Sequence, residues 1–245
     1  QTCALPICLR CLGLASFGMR HPDPVPHPEA CEAKATPPNP IPPPSPATLL
    51  PSPRALWEAP LTDVLEATAG RQLSGAWKLM LLGDGGPTRH LRLLSGHPVS
   101  IELIAMAPHS QPQPSDPLEI LELEPPLLRR QVWLVCNGET LAWAESWWNQ
   151  RQAEIHLRDR RQPIWTSLTA GRAELFREVD GLGQVEAEWL RQRFGHPGPY
   201  WSRHYRFFRA GRELTVIREV FSPALRRWLG DPLSPPMPQS HDVNF

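Results

Sequence analysis

The stretch Leu128–Trp147, LRRQVWLVCNGETLAWAESW, decides the fold. Two runs rich in β-branched and aromatic residues, Leu128–Cys136 and Thr140–Trp147, flank Asn137-Gly138-Glu139. Asn-Gly between two such runs is the strongest short-range hairpin signal, because both residues tolerate the positive φ of a type I′ turn. Antiparallel pairing is therefore expected here. Tyr200–Arg209 and Arg212–Phe221, joined about Ala210-Gly211, predict a second hairpin.

Working outward, Val99–Met106 and Ala173–Val179 read as further strands, and the Pro-rich run 107–126 as a loop. Leu73–Leu82 has helical spacing and is stopped by Gly83-Asp84-Gly85-Gly86. Pro87 suits a first helical position, and Thr88–Leu94 then reads as a short helix ended by Gly96. Gly183–Phe194 reads as an amphipathic helix with Val185 and Trp189 facing inward. These elements imply an α+β fold: a single domain with an antiparallel sheet of about six strands and helices over one face.

Composition narrows the function. The 245 residues carry 25 Lys+Arg against 25 Asp+Glu, so there is no field to draw in nucleic acid or an anionic membrane. No apolar run approaches the ~20 residues a membrane span needs. Fourteen of the 31 prolines precede residue 55, and proline fixes φ and removes an amide donor. Residues 1–55 are accordingly expected to be a disordered, Pro-rich extension, 56–230 the folded domain, and 231–245 a loose tail. Cys3, Cys8 and Cys11 have C-x4-C-x2-C spacing, but neither a fourth ligand nor a folded scaffold accompanies them. One cysteine, Cys136, falls in the folded part, which suits a reducing cytoplasm. A monomer is expected.

Alternation then separates the faces of each strand. Leu128, Arg130, Val132, Leu134 and Cys136 share one face, and Arg130 is its sole charge. In the last strand Glu213, Thr215, Ile217, Glu219 and Phe221 share a face, with Glu219 bracketed by Ile217 and Phe221. A lone buried charge costs several kcal/mol unless a partner or ligand meets it. Three readings follow: an Arg130–Glu219 ion pair that organises the core, a pocket in which Arg130 clamps a carboxylate, or a one-residue slip in the faces. The histidines lack ligand spacing, and the GDGG turn lacks the Gly-Lys-Ser/Thr of a nucleotide loop. Its glycines leave backbone amides beside a helix N-terminus, a fair place for a carboxylate. No metal and no cofactor is expected.

In order, LLGDGGPTRHL (81–91), RQVWLVCNGE (130–139), QPIWTSL (162–168), WSRHYRFFRAG (201–211) and REVFSPA (218–224) resemble the chorismate lyase (chorismate–pyruvate lyase) family, and its divergent cyanobacterial branch in particular. The resemblance implies a six-stranded antiparallel sheet with the ligand beneath helical flaps. It implies cofactor-independent elimination of pyruvate from chorismate, giving 4-hydroxybenzoate for quinone biosynthesis. The family's substrate-binding Arg falls on Arg130 and its Glu on Glu219. Its backbone contact falls on Pro87 and its apolar contact on Ile164. Glu145 departs from the Arg that proteobacterial members often carry after the hairpin. The other function class open at this point is a non-catalytic effector-binding protein of the same fold.

Overall fold

The computed structural model describes residues 48–66, 73–169, 172 and 174–233. In chain order the elements are β1 (Arg54–Pro60), α1 (Leu61–Leu65), α2 (Gly75–Leu82), α3 (Pro87–Ser95), β2 (Val99–His109), β3 (Leu127–Cys136), β4 (Glu139–Asn149), α4 (Gln150–His156), α5 (Ile164–Thr169), β5 (Phe176–Glu186), α6 (Glu188–Phe194), β6 (Tyr200–Arg209), β7 (Arg212–Phe221) and α7 (Arg226–Leu229). The strands form one sheet in the order β1-β5-β6-β7-β4-β3-β2, and every neighbouring pair is antiparallel. The fold is α+β, as expected.

Both hairpins turn where the sequence places them. Asn137 and Gly138 have φ of 48° and 79°, and Ala210 and Gly211 have φ of 49° and 72°. These paired positive values are what let two-residue turns match the twist of their strands. Pro87 opens α3, and Gly96, at φ 71°, closes it with its N–H on the Arg92 carbonyl at 2.9 Å.

The register sets which side chains share a face, since residues directly opposite point the same way. Arg130, Ser146, Ile217 and Tyr205 form one row across β3, β4, β7 and β6. Val132, Ala144, Glu219 and Arg203 form the next. Over this face Trp77, Met80 and Leu81 of α2 and Leu91 of α3 pack on Val132, Leu134, Ala142 and Phe221. Trp143, Trp147 and Trp148 have 0 % exposure, and each such ring contributes about 4–6 kcal/mol of gross transfer free energy.

Five departures from the sequence reading stand out. The sheet has seven strands, because Arg54–Pro60 pairs with β5. The helix expected over Gly183–Phe194 starts only at Glu188, since Gly183–Glu186 continue β5 against β1 and β6. This helix, α6, packs on the opposite face of the sheet, with Leu190 and Phe194 among Trp133, Trp143 and Val220. Finally, residues 48–55 were expected in the disordered extension, yet Leu50 exchanges two hydrogen bonds with Gln131 (2.7 and 3.0 Å). Ser52 Oγ likewise accepts from Arg129 at 2.8 Å. At the other end the backbone N–H of Ser74 reaches the Pro232 carbonyl at 2.7 Å, and Leu73 bridges Leu233. The spacing of Cys3, Cys8 and Cys11, the rest of the extension and the tail beyond residue 233 lie outside the described residues.

Both edge strands are interrupted. β1 carries a bulge between Ala55 and Trp57, and β2 carries one between Leu103 and Ala105.

Candidate functional site

A cavity lies between the sheet and the helices above it. Its floor is the shared face of β3, β4, β6 and β7; the N-terminus of α3 and the start of α5 roof it. Arg130, Glu219, Pro87 and Ile164 all line it. Residues more than 130 positions apart in sequence thus converge on one space.

Arg130 is 2 % exposed. Its Nη2 donates to the carbonyls of Arg160 (2.6 Å) and Gln162 (3.4 Å), while its Nε is buried with no hydrogen-bond partner among the described residues. Burial lowers its pKa to about 10, with the charge of exposed Asp159 working in the other direction. It stays cationic at neutral pH, surrounded by apolar side chains such as Val132, Ile164 and Ile217. A buried cation held only by carbonyls is an incomplete arrangement, because no carboxylate among the described residues pairs with it to offset its desolvation.

Glu219 has different neighbours. Its Oε2 accepts from Arg203 Nε at 2.8 Å and its Oε1 from the Tyr205 hydroxyl at 2.6 Å. The Arg203–Glu219 ion pair is 0 % and 2 % exposed at the side chains. Of the three readings, this removes the Arg130–Glu219 pair: the register puts Arg203 directly across from Glu219, while Arg130 lies two strands away. Arg203 Nη1 also takes the carbonyls of Met80 (2.9 Å) and Leu81 (3.0 Å), near the C-terminal end of α2, where helical carbonyls lack partners. Burial, and then the charge of Glu219, push the Tyr205 hydroxyl pKa upward, so the phenol remains a donor.

The sequence reading did not single out Arg203, Tyr205 or Phe207. Alternation puts those three on one face of β6, where Arg203 stands between Trp201 and Tyr205. The GDGG turn also contributes acceptors. It presents the carbonyls of Gly83 and Gly85 to Arg177 Nη1, at 3.2 and 3.0 Å. Glu145, which departs from the family pattern, faces away from the cavity. There it sits between Arg129 Nε (2.8 Å) and Arg218 Nε (2.7 Å), with Gln131 at 3.2 Å. Among the described residues no cluster of His, Cys, Asp and Glu has the geometry to hold a metal, and no helix is long and apolar enough to cross a membrane.

The cavity therefore combines apolar walls, a carboxylate fixed by two donors and an arginine awaiting an anion, which suits a small, polar, anionic ring. Comparison with known proteins agrees at the level of family. The chain is 28 % identical over 151 residues to the ycf21 protein of Cyanophora paradoxa, covering 61 % of this chain and 78 % of that one. It is 29 % identical over 153 residues to the ycf21 protein of Porphyra purpurea, covering 62 % and 83 %. Both relatives are themselves uncharacterized. Among solved structures, PhnF from Mycobacterium smegmatis superposes with a TM-score of 0.45 at 12 % identity, over 58 % of this chain and 66 % of that one. Its effector domain alone superposes with a TM-score of 0.44, over 63 % and 93 %. The model of the Rv2949c-like chorismate pyruvate-lyases matches residues 81–229, more than half of the chain and a span that holds all four converging residues, so the chain belongs to that family.

Proposed function

We propose that the chain is a chorismate lyase, splitting chorismate into 4-hydroxybenzoate and pyruvate without a cofactor. The observation that carries this reading is Arg130: a buried guanidinium on the cavity wall whose partners among the described residues are carbonyls alone. It is built to receive a carboxylate, and the ring carboxylate of chorismate is assigned to it. Pro87 and Ile164 close the cavity over the ring.

The reaction asks little covalent work of the protein. The C3–O bond breaks with its electron pair passing to the enolpyruvyl oxygen, the C4 proton is lost, and the enol takes up a proton to become pyruvate. Aromatisation of the ring drives the step. The protein must hold the dianion in one pose and stabilise charge moving onto the departing group. Glu219 already receives a guanidinium on one oxygen and a phenol on the other, which fixes the plane of its carboxylate. The role this leaves it is accepting the hydrogen bond of the C4 hydroxyl, which holds C4 in register for elimination. We assign the product to quinone-ring synthesis and the protein to the cytoplasm as a monomer.

The test is purified protein with chorismate, followed by chromatography for 4-hydroxybenzoate and by a coupled assay for pyruvate. Equal amounts of the two are expected. Saturable binding of chorismate with no product would refute the lyase reading in favour of a non-catalytic binding protein.

A further inference from the structure

Three guanidiniums lie about the wall made by Glu219 and Tyr205, and among the described residues one buried carboxylate answers them. Arg130 is held by carbonyls alone, Arg203 pairs with Glu219, and Arg177 stacks on the Tyr205 ring with its Cζ 3.8 Å from the ring centroid. The other acids that act on these arginines, Asp84 on Arg177 and Asp159 on Arg130, are both exposed to solvent. His90, half-buried beside them, has its pKa lowered by burial and then by Arg203 and Arg177, so it adds no compensating or further charge at pH 7. Three cations against one buried anion leave a surplus of two positive charges.

Which atoms are free matters more than the count. Arginine meets a carboxylate side-on through the Nε–Nη2 edge of its fork. Arg177 spends only Nη1, on the Gly83 and Gly85 carbonyls, and both its Nε and its Nη2 are buried without a partner among the described residues. Arg203, 1 % exposed, uses Nε and Nη1 and leaves Nη2 buried and unpartnered. Buried donors left unpaired are expensive, and a fold retains them where a ligand completes them. Tyr205 and Glu219, which Arg177 and Arg203 touch directly, both line the cavity.

We infer that the free fork of Arg177, with Arg203 Nη2 beside it, is the subsite for a second carboxylate. The cavity on this view selects dicarboxylate dianions over monocarboxylates. The inference rests on the lyase reading only for the name of its ligand, whose enolpyruvyl carboxylate would occupy this subsite while Arg130 holds the ring carboxylate.

Two probes that cannot undergo the elimination test it: 4-hydroxybenzoate, with one carboxylate, and 4-(carboxymethoxy)benzoate, with two. Titration calorimetry on the full chain at pH 7 should show the dicarboxylate binding about tenfold tighter or better. Arg177→Met should erase about tenfold of dicarboxylate affinity and change 4-hydroxybenzoate binding by less than about threefold. Arg177→Lys keeps the charge but cannot fork. It should lose at least about threefold on the dicarboxylate alone, and it decides the matter if the Met variant does not fold. Equal weakening of both probes would make Arg177 only a tie for the glycine turn and overturn the inference. So would a wild-type chain with no preference for the dicarboxylate. The two readings fail separately: an Arg177-dependent preference without chorismate turnover sinks the lyase assignment alone, and turnover without the preference sinks the subsite alone.

Discussion

Replacing Arg130 with Met separates a binding arginine from a structural one by the sign of its effect on stability. A structural buried arginine is held by a carboxylate, and its loss typically costs 3–5 kcal/mol because the partner is left uncompensated (order of magnitude from buried pairs). Arg130 has no such partner among the described residues, where removing it orphans only the Arg160 and Gln162 carbonyls. The depression of its pKa from 12.5 to about 10 corresponds to about 3 kcal/mol by which folding disfavours the charged form. Against that stands the lost charge-assisted bond to the Arg160 carbonyl at 2.6 Å, about 1.5–3 kcal/mol, while the 3.4 Å contact with Gln162 is too long to add much. Met fills much of the same volume along an apolar wall, so packing changes little. The expected net change in unfolding free energy is between about zero and 2 kcal/mol in favour of the variant. Urea unfolding of ligand-free protein at pH 7, for wild type and Arg130→Met, measures it, with chorismate turnover assayed in parallel. Expected is a variant at least as stable as wild type that no longer captures substrate. A loss of more than about 2 kcal/mol would show that Arg130 is a structural tie and refute the reasoning.

Glu219→Gln should behave oppositely: it leaves Arg203 buried without its counter-ion, so stability should fall by about 2–4 kcal/mol as kcat falls. Adding Arg203→Met should restore part of that stability without restoring turnover; denaturant curves and initial rates check both. Removing residues 1–55 should cost about 1–3 kcal/mol relative to a chain beginning at residue 48, because the Leu50 and Ser52 bonds to Gln131 and Arg129 go with them, as thermal unfolding would show. Glu213 has both carboxylate oxygens buried without partners among the described residues, and burial pushes its pKa up to about 7, with Arg206 opposing. An acid whose pKa is raised in the folded state loses stability as pH climbs from its unfolded value, 4.5, through about 7. Glu213→Gln should therefore raise Tm at pH 8 and leave it nearly unchanged at pH 4.5.

The sequence made the hairpins and two of the site's charges legible because both rest on local rules. Asn137-Gly138 and Ala210-Gly211 announce turns, and alternation exposes Arg130 and Glu219 as charges on apolar faces. β1 was missed because RALWEAP lacks alternation, as an edge strand with a bulge can, and its partner lies more than 100 residues downstream. The border between β5 and α6 was missed because the same few residues suit either period, and only pairing with β1 and β6 chooses between them. Arg203 stayed hidden for another reason. β6 has arginines at 203, 206 and 209, so its charges fall on both faces and no single one stands out. What Glu219 pairs with is a property of strand order, β6 beside β7, and not of either strand alone.

The interrupted margins of the sheet bear on what happens when many copies of the chain meet. Among the described residues the seven-stranded sheet ends at β1 and β2, and the margins of a sheet invite a neighbour's strand. Each margin is broken by its bulge, at Ala55/Trp57 and at Leu103/Ala105, so the donors fall out of step with any straight incoming strand. Pro60 closes one margin and Pro108 sits near the end of the other, each withholding an amide. Exposed ion pairs, Arg54 with Glu186 and Glu102 with Arg193, place charge along both. Bulge, proline and charge together blunt both described margins, so a further strand finds neither a straight row of donors nor an apolar edge to join.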